Sequence, residues 1–444
     1  MKKIYLITSL LFGLVMINTA QDKIWTMEEC MQYAVDNSPA VRKEKHTHNT
    51  YKAEYTSSIA QFFPSLTTNV SAQYNWGRAI DPETNIYNNT TTFNNYYEGY
   101  ASLPVFNGGQ LVNQFRLAKA NRQMGMNDIQ KAKDDLALST LEAFVNVVYY
   151  QGTVQFATEK LEESSRILYK TKREEELGLK GKADVAQIEA QVAGDDYNLT
   201  HQYNLYDGAV LKLKELMNYP YENELKVDTT ALVSDYIFTI ESIEDIYLQA
   251  KENNPTALKA EYEVSTYKLN HLIQKGKLFP TISISAGIYT SYYENLKAET
   301  PPTSFNSQFK NNRGEYITFN FRFPLFNGLT RMRDVRKARN NVRIAEETQI
   351  EVLRQLQTAI EQSVLDRESF AKESIQMEKK VTSDELAYRV TLRKFEEGLM
   401  SPLDLQTNAN TLIESKAILL QKKLMYLLKC KQVDYYKGKP LINR

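Results

Sequence analysis

The segments "LPVFNGGQ" (Leu103–Gln110) and "FPLFNGLT" (Phe323–Thr330) are near copies of one another. Each follows residues that alternate between polar and apolar. Each opens a helix-like run of roughly 70 residues, far above the ordinary helix length. A proline, an aromatic residue and Asn-Gly therefore stand twice between a strand and a very long helix. The repetition points to an internal duplication, and the search for further copies follows from it.

"TMEECMQYAVDNSPAVRKE" (Thr26–Glu44) matches "SIEDIYLQAKENNPTALKA" (Ser242–Ala260) in register. "FFPSL" (Phe62–Leu66) matches "LFPTI" (Leu278–Ile282) at the same separation, and the long runs end alike in "REEELGLKGKADV" (Arg173–Val185) and "RKFEEGLMSPLDL" (Arg393–Leu405). The expected organisation is a first repeat over 21–218 and a second over 242–444, joined by a linker at 219–241. Thr26 and Ser242 are expected N-caps, with Glu29 and Asp245 three residues on. Ser38-Pro39 and Asn254-Pro255 are expected to restart the helix, and Pro64 and Pro280 to stop it.

After those prolines the period becomes two. Leu66, Thr68, Val70, Ala72, Tyr74 and Trp76 fall on one face, and Ile282, Ile284, Ala286 and Ile288 do the same in the second copy. Strands are expected at 65–77 and 96–106, and again at 281–293 and 315–326, with polar loops at Arg78–Asn95 and Glu294–Glu315. Tyr74, Trp76, Tyr96, Tyr97, Tyr292 and Tyr293 gather near the loops, and Phe62, Phe63, Phe106, Phe279 and Phe326 near the helices. Two aromatic girdles around an apolar band mark a transmembrane barrel; a soluble sandwich face is the alternative. Four strands cannot close a barrel. Two chains would give eight and a filled interior, three would give twelve and a pore, so a conduit favours the trimer. In that setting Pro104 and Pro324 end the ladder, Phe106 and Phe326 sit at the membrane edge, and Asn107-Gly108 and Asn327-Gly328 turn the chain into the helix.

The opening "MKKIYLITSLLFGLVMINTA" has two lysines, an apolar run and Ala20, which is the layout of a signal peptide over 1–20. Cys30 lacks the preceding small residues of a lipoprotein site, so no lipid anchor is expected. With 54 basic and 54 acidic residues there is no electrostatic case for nucleic acid. His46, His48, His201 and His271 are scattered, and no P-loop, dinucleotide or nucleophile-elbow motif occurs, so no metal, cofactor or catalytic residue is expected. Helical hairpins are expected at 109–218 and 329–436, with coiled-coil spacing at Leu138–Leu141–Val145–Val148 and Leu353–Leu356–Ile360–Val364.

These residues resemble the TolC-like outer-membrane efflux proteins over essentially the whole mature chain. The carriers are the duplication, the paired P-x-F-N-G and Phe-Pro junctions, and the R-x4-G-L-x4-D-[VL] hairpin tips. The resemblance implies a mixed α/β membrane protein, a homotrimer whose chains together complete a twelve-stranded transmembrane β-barrel, continued by a long periplasmic α-helical barrel with the linker in its mid-height belt. It implies an exit duct of a tripartite efflux pump or type I secretion system, with a periplasmic adaptor and an inner-membrane transporter as partners and outer-membrane lipid around the barrel.

The family's adaptor-contact motif falls on Arg173, Gly178, Leu179 and Asp184, and on Arg393, Gly398, Leu399 and Asp404. Helix capping alone would also explain the glycines and aspartates. Gly181-Lys182 stands where the second tip has Ser401-Pro402, so the tips need not meet a partner equally. Asp384, Glu385 and Tyr388, roughly four turns from the second tip, match the height of the family's periplasmic gate; a solvated acidic patch is the other reading. The same fold would bring Cys30 and Cys430 near enough for a disulfide, and two buried thiols are the alternative. Against the duct stands a soluble periplasmic coiled-coil adaptor or scaffold, which would need no apolar sheet face.

Overall fold

The structure is a computed structural model that describes residues 23–80, 85–229, 242–298 and 301–442. The signal segment and residues 230–241 of the expected linker lie outside the described residues. In chain order the elements are β1 (Ile24–Trp25), α1 (Met27–Asn37), α2 (Pro39–Ala60), β2 (Ser65–Ile80), β3 (Tyr87–Phe106), α3 (Gln110–Glu176), α4 (Lys182–Met217), β4 (Lys226–Val227), α5 (Ile243–Asn253), α6 (Pro255–Gly276), β5 (Thr281–Asn295), α7 (Phe305–Asn311), β6 (Gly314–Arg322), α8 (Thr330–Glu396) and α9 (Pro402–Tyr436). The two halves follow one order: α1 and α5 each have 11 residues, α2 and α6 each 22, and α3 and α8 each 67.

The chain forms two compact units, and each takes segments from both halves. One comprises Pro39–Ala132 and Glu244–Ile360. Its four-stranded sheet has the order β2-β3-β5-β6, antiparallel throughout. The register puts Leu66, Ala101, Ala286 and Ile317 on one rung, and Thr68, Gly99, Ile288 and Glu315 two rungs on. Paired residues share a face, so Leu66, Val70, Trp76, Phe93, Ile284, Phe319 and Phe321 all lie on one side. The intervening rungs carry polar groups, as in Ser65–Ser102–Ser285–Thr318. Much of the apolar side is exposed: Leu66 is 84% exposed and Phe319 72%. Beneath the sheet's helical end, α2 packs on α3 through Tyr55 and Phe115, while α6 reaches α3 through Lys259–Asp128 (3.0 Å).

The other unit comprises residues to Ser38, Lys133–Ile243 and Glu361 onward. Thr26 and Glu29 close a reciprocal capping box at the start of α1. The core joins Cys30, Met31, Leu141, Phe144, Val145, Leu213, Met217, Leu424 and Leu428. β1 and β4 pair in parallel beside it, where Trp25, Tyr33 and Tyr219 meet edge to face. Of the expected stripes, Leu141, Val145, Val148, Leu356, Ile360 and Val364 are buried, whereas Leu138 and Leu353 are half-buried.

Three expectations change. The segment Arg78–Asn95 is largely strand: β2 runs to Ile80 and β3 begins at Tyr87. Its threonines and aromatics find partners across the pair, as in Tyr74 against Phe93 at 4.6 Å between ring centres. β6 ends at Arg322 rather than 326, because Arg322 pairs with Thr281, the first residue of β5 after Pro280, and no partner backbone lies beyond it. The loop after β5 contains α7, which the sequence reading lacked. Of the two readings left open for the cysteines, the structure has free thiols, with Cys30 buried and Cys430 half-buried.

Candidate functional site

Both hairpin tips have the same backbone. Gly178 has φ +77° and Gly398 φ +78°, in the left-handed region that glycine enters without strain. Leu179 N donates to Glu174 O and Gly178 N to Glu175 O; Leu399 N and Gly398 N do the same to Lys394 O and Phe395 O. This is the Schellman arrangement, which satisfies the last carbonyls of α3 and α8. The return helices are capped too. Asp184 Oδ2 accepts from Gly181 N at 3.2 Å. Ser401 Oγ accepts from Asp404 N at 3.2 Å, Asp404 Oδ2 accepts from Ser401 N at 3.3 Å, and Pro402 opens the first turn. Capping therefore accounts for Gly178, Gly398, Asp184 and Asp404. It does not account for Leu179 and Leu399, 72% and 71% exposed. Arg173 pairs with Glu176 at 2.7 Å, and Arg393 is exposed in the last turn of α8.

Near the tips, Ile188, Tyr388, Phe395 and Leu405 form a small apolar cluster that joins the hairpins. Lys180 Nζ lies 4.9 Å over the Phe395 ring, and Lys160 Nζ bridges Asp195 (2.8 Å) and Asn410 (2.5 Å). Each candidate gate residue has a partner in the chain. Asp384 Oδ2 accepts from Lys380 Nζ and from Ser415 Oγ, both at 2.6 Å. Those two hydrogen bonds hold its carboxyl below the usual carboxylate range. Glu385 pairs with Lys416 at 3.2 Å. Tyr388 is 8% exposed; burial, and a hydrogen bond to Glu163, push its hydroxyl well above the ordinary tyrosine value. Asp384 and Glu385 thus tie α8 to α9, and Tyr388 ties α8 to α3. Lys380 stands one turn from Asp384 on the same helix, a spacing that sequence can show. Ser415, Lys416 and Glu163 come from distant parts of the chain, and no local motif could have named them.

At the first junction β3 carries a bulge between Pro104 and Phe106. Asn107 Oδ1 then accepts from Leu111 N at 3.2 Å, capping α3. Gly108 has φ +65°, and a Cβ there would run into the Gly276 carbonyl. At the second, Asn327 O accepts from Thr330 Oγ1 at 3.0 Å and Gly328 has φ +64° with open space around it. Phe326 is 81% exposed. Pro64 and Pro280 stand immediately before β2 and β5. Sequence reasoning missed Leu329, a non-glycine at φ +62° where the first copy has Gly109.

Among the described residues no helix is long and apolar enough to cross a membrane, and no group of acids, histidines or cysteines could hold a metal ion. A family model for outer membrane efflux proteins matches residues 30–218 and 246–428. CusC, studied for folding and transmembrane channel formation, superposes with a TM-score of 0.80 at 16% identity over 93% of this chain and 92% of that one. VceC, an outer membrane protein of Vibrio cholerae, gives 0.78 at 13% identity over 94% and 96%. The CmeC outer membrane channel of Campylobacter jejuni gives 0.76 at 14% over 93% and 85%. At such identities the likeness is one of fold. No curated protein matches the sequence.

Proposed function

The chain belongs to the outer membrane efflux protein family and has the TolC-like fold, and from this premise we propose that it is the exit duct of a tripartite efflux pump or type I secretion system. The carrying observation is the sheet, one face of which holds exposed large apolar residues, among them Leu66, Val70, Trp76, Ile317, Phe319 and Phe321, while the other is mostly polar. Water would not tolerate that face on a soluble scaffold, whereas lipid covers it. β2 and β6 are open edges, and closure with neighbouring copies satisfies them. Three copies give twelve strands and a pore lined by serine, threonine, asparagine and tyrosine side chains. Each chain is two copies of one unit, 21–218 and 242–444, after export on the signal segment 1–20.

The duct conducts passively and holds no cofactor. Its helical hairpins lie in the periplasm. Leu179 and Leu399, with Arg173 and Arg393, form knobs for a periplasmic adaptor, which couples the duct to an inner-membrane transporter. Capping fixes the backbone that presents the leucines. Asp384, Glu385 and Tyr388 hold the hairpins together near the tips, and release of those bonds widens the entrance.

The test is extraction and conductance. The protein should leave the membrane only with detergent, migrate as a heat-modifiable oligomer, and form channels in planar bilayers. A chain that is freely soluble and shows no conductance overturns the duct. For docking, Gly398→Glu with Leu399→Glu should abolish drug efflux while the oligomer persists; full resistance in that mutant overturns it.

A further inference from the structure

β5 and β6 part company at Tyr289, which pairs with Gly314, the first residue of β6. β5 nevertheless continues to Asn295, so its outer edge is left without a strand. α7 takes that place. The Gln308 side chain mimics a backbone amide: Oε1 accepts from Tyr293 N and Nε2 donates to Tyr293 O, both at 2.9 Å. Asn312 Nδ2 donates to Ser291 O at 2.9 Å, and Thr290 Oγ1 to Phe309 O at 2.7 Å. Phe305 and Phe309 pack on Tyr97, and Phe305 also on Tyr292. The anchoring is specific, yet Asn306, Lys310 and Asn311 remain exposed.

The chain itself indicates what lies beside them. β3 and β5 pair across the two repeats, with Ala101 opposite Ala286 and Tyr97 opposite Thr290. The matched prolines carry β3 onto β6 (Pro104 to Pro324) and β5 onto β2 (Pro280 to Pro64). The same pairing between two copies sets Phe321 opposite Val70, Phe319 opposite Ala72 and Ile317 opposite Tyr74. All six belong to the apolar face, and the intervening Asn320 and Thr318 meet Ser71 and Gln73. A slip of one residue would break that agreement on every rung. The junction glycines fit as well: Gly108 is packed against Gly276, whereas Gly328 is bare in the single chain. In this register β6 ends opposite Gly77, and β2 runs on through Ile80.

We infer that α7 seals the seam between two copies of this chain: it fills the column beyond the end of β6 and lies against Arg78–Ile80 of the neighbouring copy's β2. This rests on the barrel reading above. Bare edge groups at that end of β2 meet the polar side of α7, and upward slippage of the neighbour's strand is blocked by the helix.

Paired cysteines test it. Within one chain β2 and β6 are opposite edges of the sheet, so a bond from α7 or β6 to β2 joins two chains. Asn311→Cys with Ile80→Cys, and a control pair Phe319→Cys with Ala72→Cys, would be oxidised in isolated membranes and run without reductant. Both pairs should give covalent multimers, and single cysteines none. Gln308→Ala should cut the yield of the 311–80 link several-fold and leave the control unchanged. A control that cross-links while 311–80 does not overturns the seal. Failure of both pairs in a protein that still runs as an SDS-resistant oligomer overturns the register and the seal together. A wild-type protein that is monomeric after detergent extraction overturns the barrel reading instead.

Discussion

Leu329 shows how far single positions can be read. Its first-repeat counterpart is Gly109 at φ +76°, and Leu329 adopts φ +62°. A side chain in that region costs about 1–2 kcal/mol, against roughly 0.5–1 kcal/mol of extra chain entropy for glycine. Leu329→Gly should therefore raise the oligomer's dissociation temperature slightly, and a drop would show that the leucine side chain is gripped by another molecule. Cys30 offers a second check. Burial pushes its thiol up to about 12, so at pH 8 it should resist maleimide until the protein unfolds, with mass spectrometry reading the label. Caps and turn glycines were legible because their rules are local: Thr26 with Glu29, Asn254 with Thr256, Gly178 and Gly398. The Tyr388–Glu163 contact was not, since nothing local to either residue specifies the other.

At the scale of elements, polar contacts supplement the apolar clusters that join the hairpins. Tyr388→Phe keeps the ring in its cluster and removes the bond to Glu163. Larger single-channel conductance is expected from that variant, with the oligomer unchanged. Asp384 gives the pH dependence. Its folded pKa lies below the ordinary 3.8, so its contribution is complete above that value and is lost as pH falls through the lowered one. Conductance should be flat from about pH 5 to 8 and rise only below about pH 4; a rise near neutrality would exclude this carboxylate as the cause. Strand pairs and long helices were legible through their periods. β3 was read too short because "YNNTTTFNN" is polar, although its alternation of Tyr87, Thr91 and Phe93 suits a strand with a partner. α7 escaped because a seven-residue helix after Pro301-Pro302 carries too little periodicity to register.

For the whole molecule, the matched segments are visible in the sequence, and the two halves carry their helices in one order and at equal lengths. The interleaving of the halves into two compact units was not visible, since it follows from which strand of one half pairs with which strand of the other. β3 against β5 is the contact that decides it. Overall neutrality, 54 basic against 54 acidic residues, leaves apolar area and hydrogen bonding, not net charge, to organise assembly.

The open edges of β2 and β6 carry a further consequence, in mass action. In the proposed barrel the outer strands are completed by other chains, so part of the sheet's stability comes from a reaction of higher than first order. Its melting temperature in detergent should fall on dilution, and a concentration-independent value would show that the single chain is self-sufficient. Before the proposed assembly the same edges and apolar face are open to wrong partners, so yield should depend on how quickly like chains meet. Expression level becomes a determinant of folding, and a mixed population carrying one defective β2 would poison assemblies in proportion to the number of seams each assembly contains.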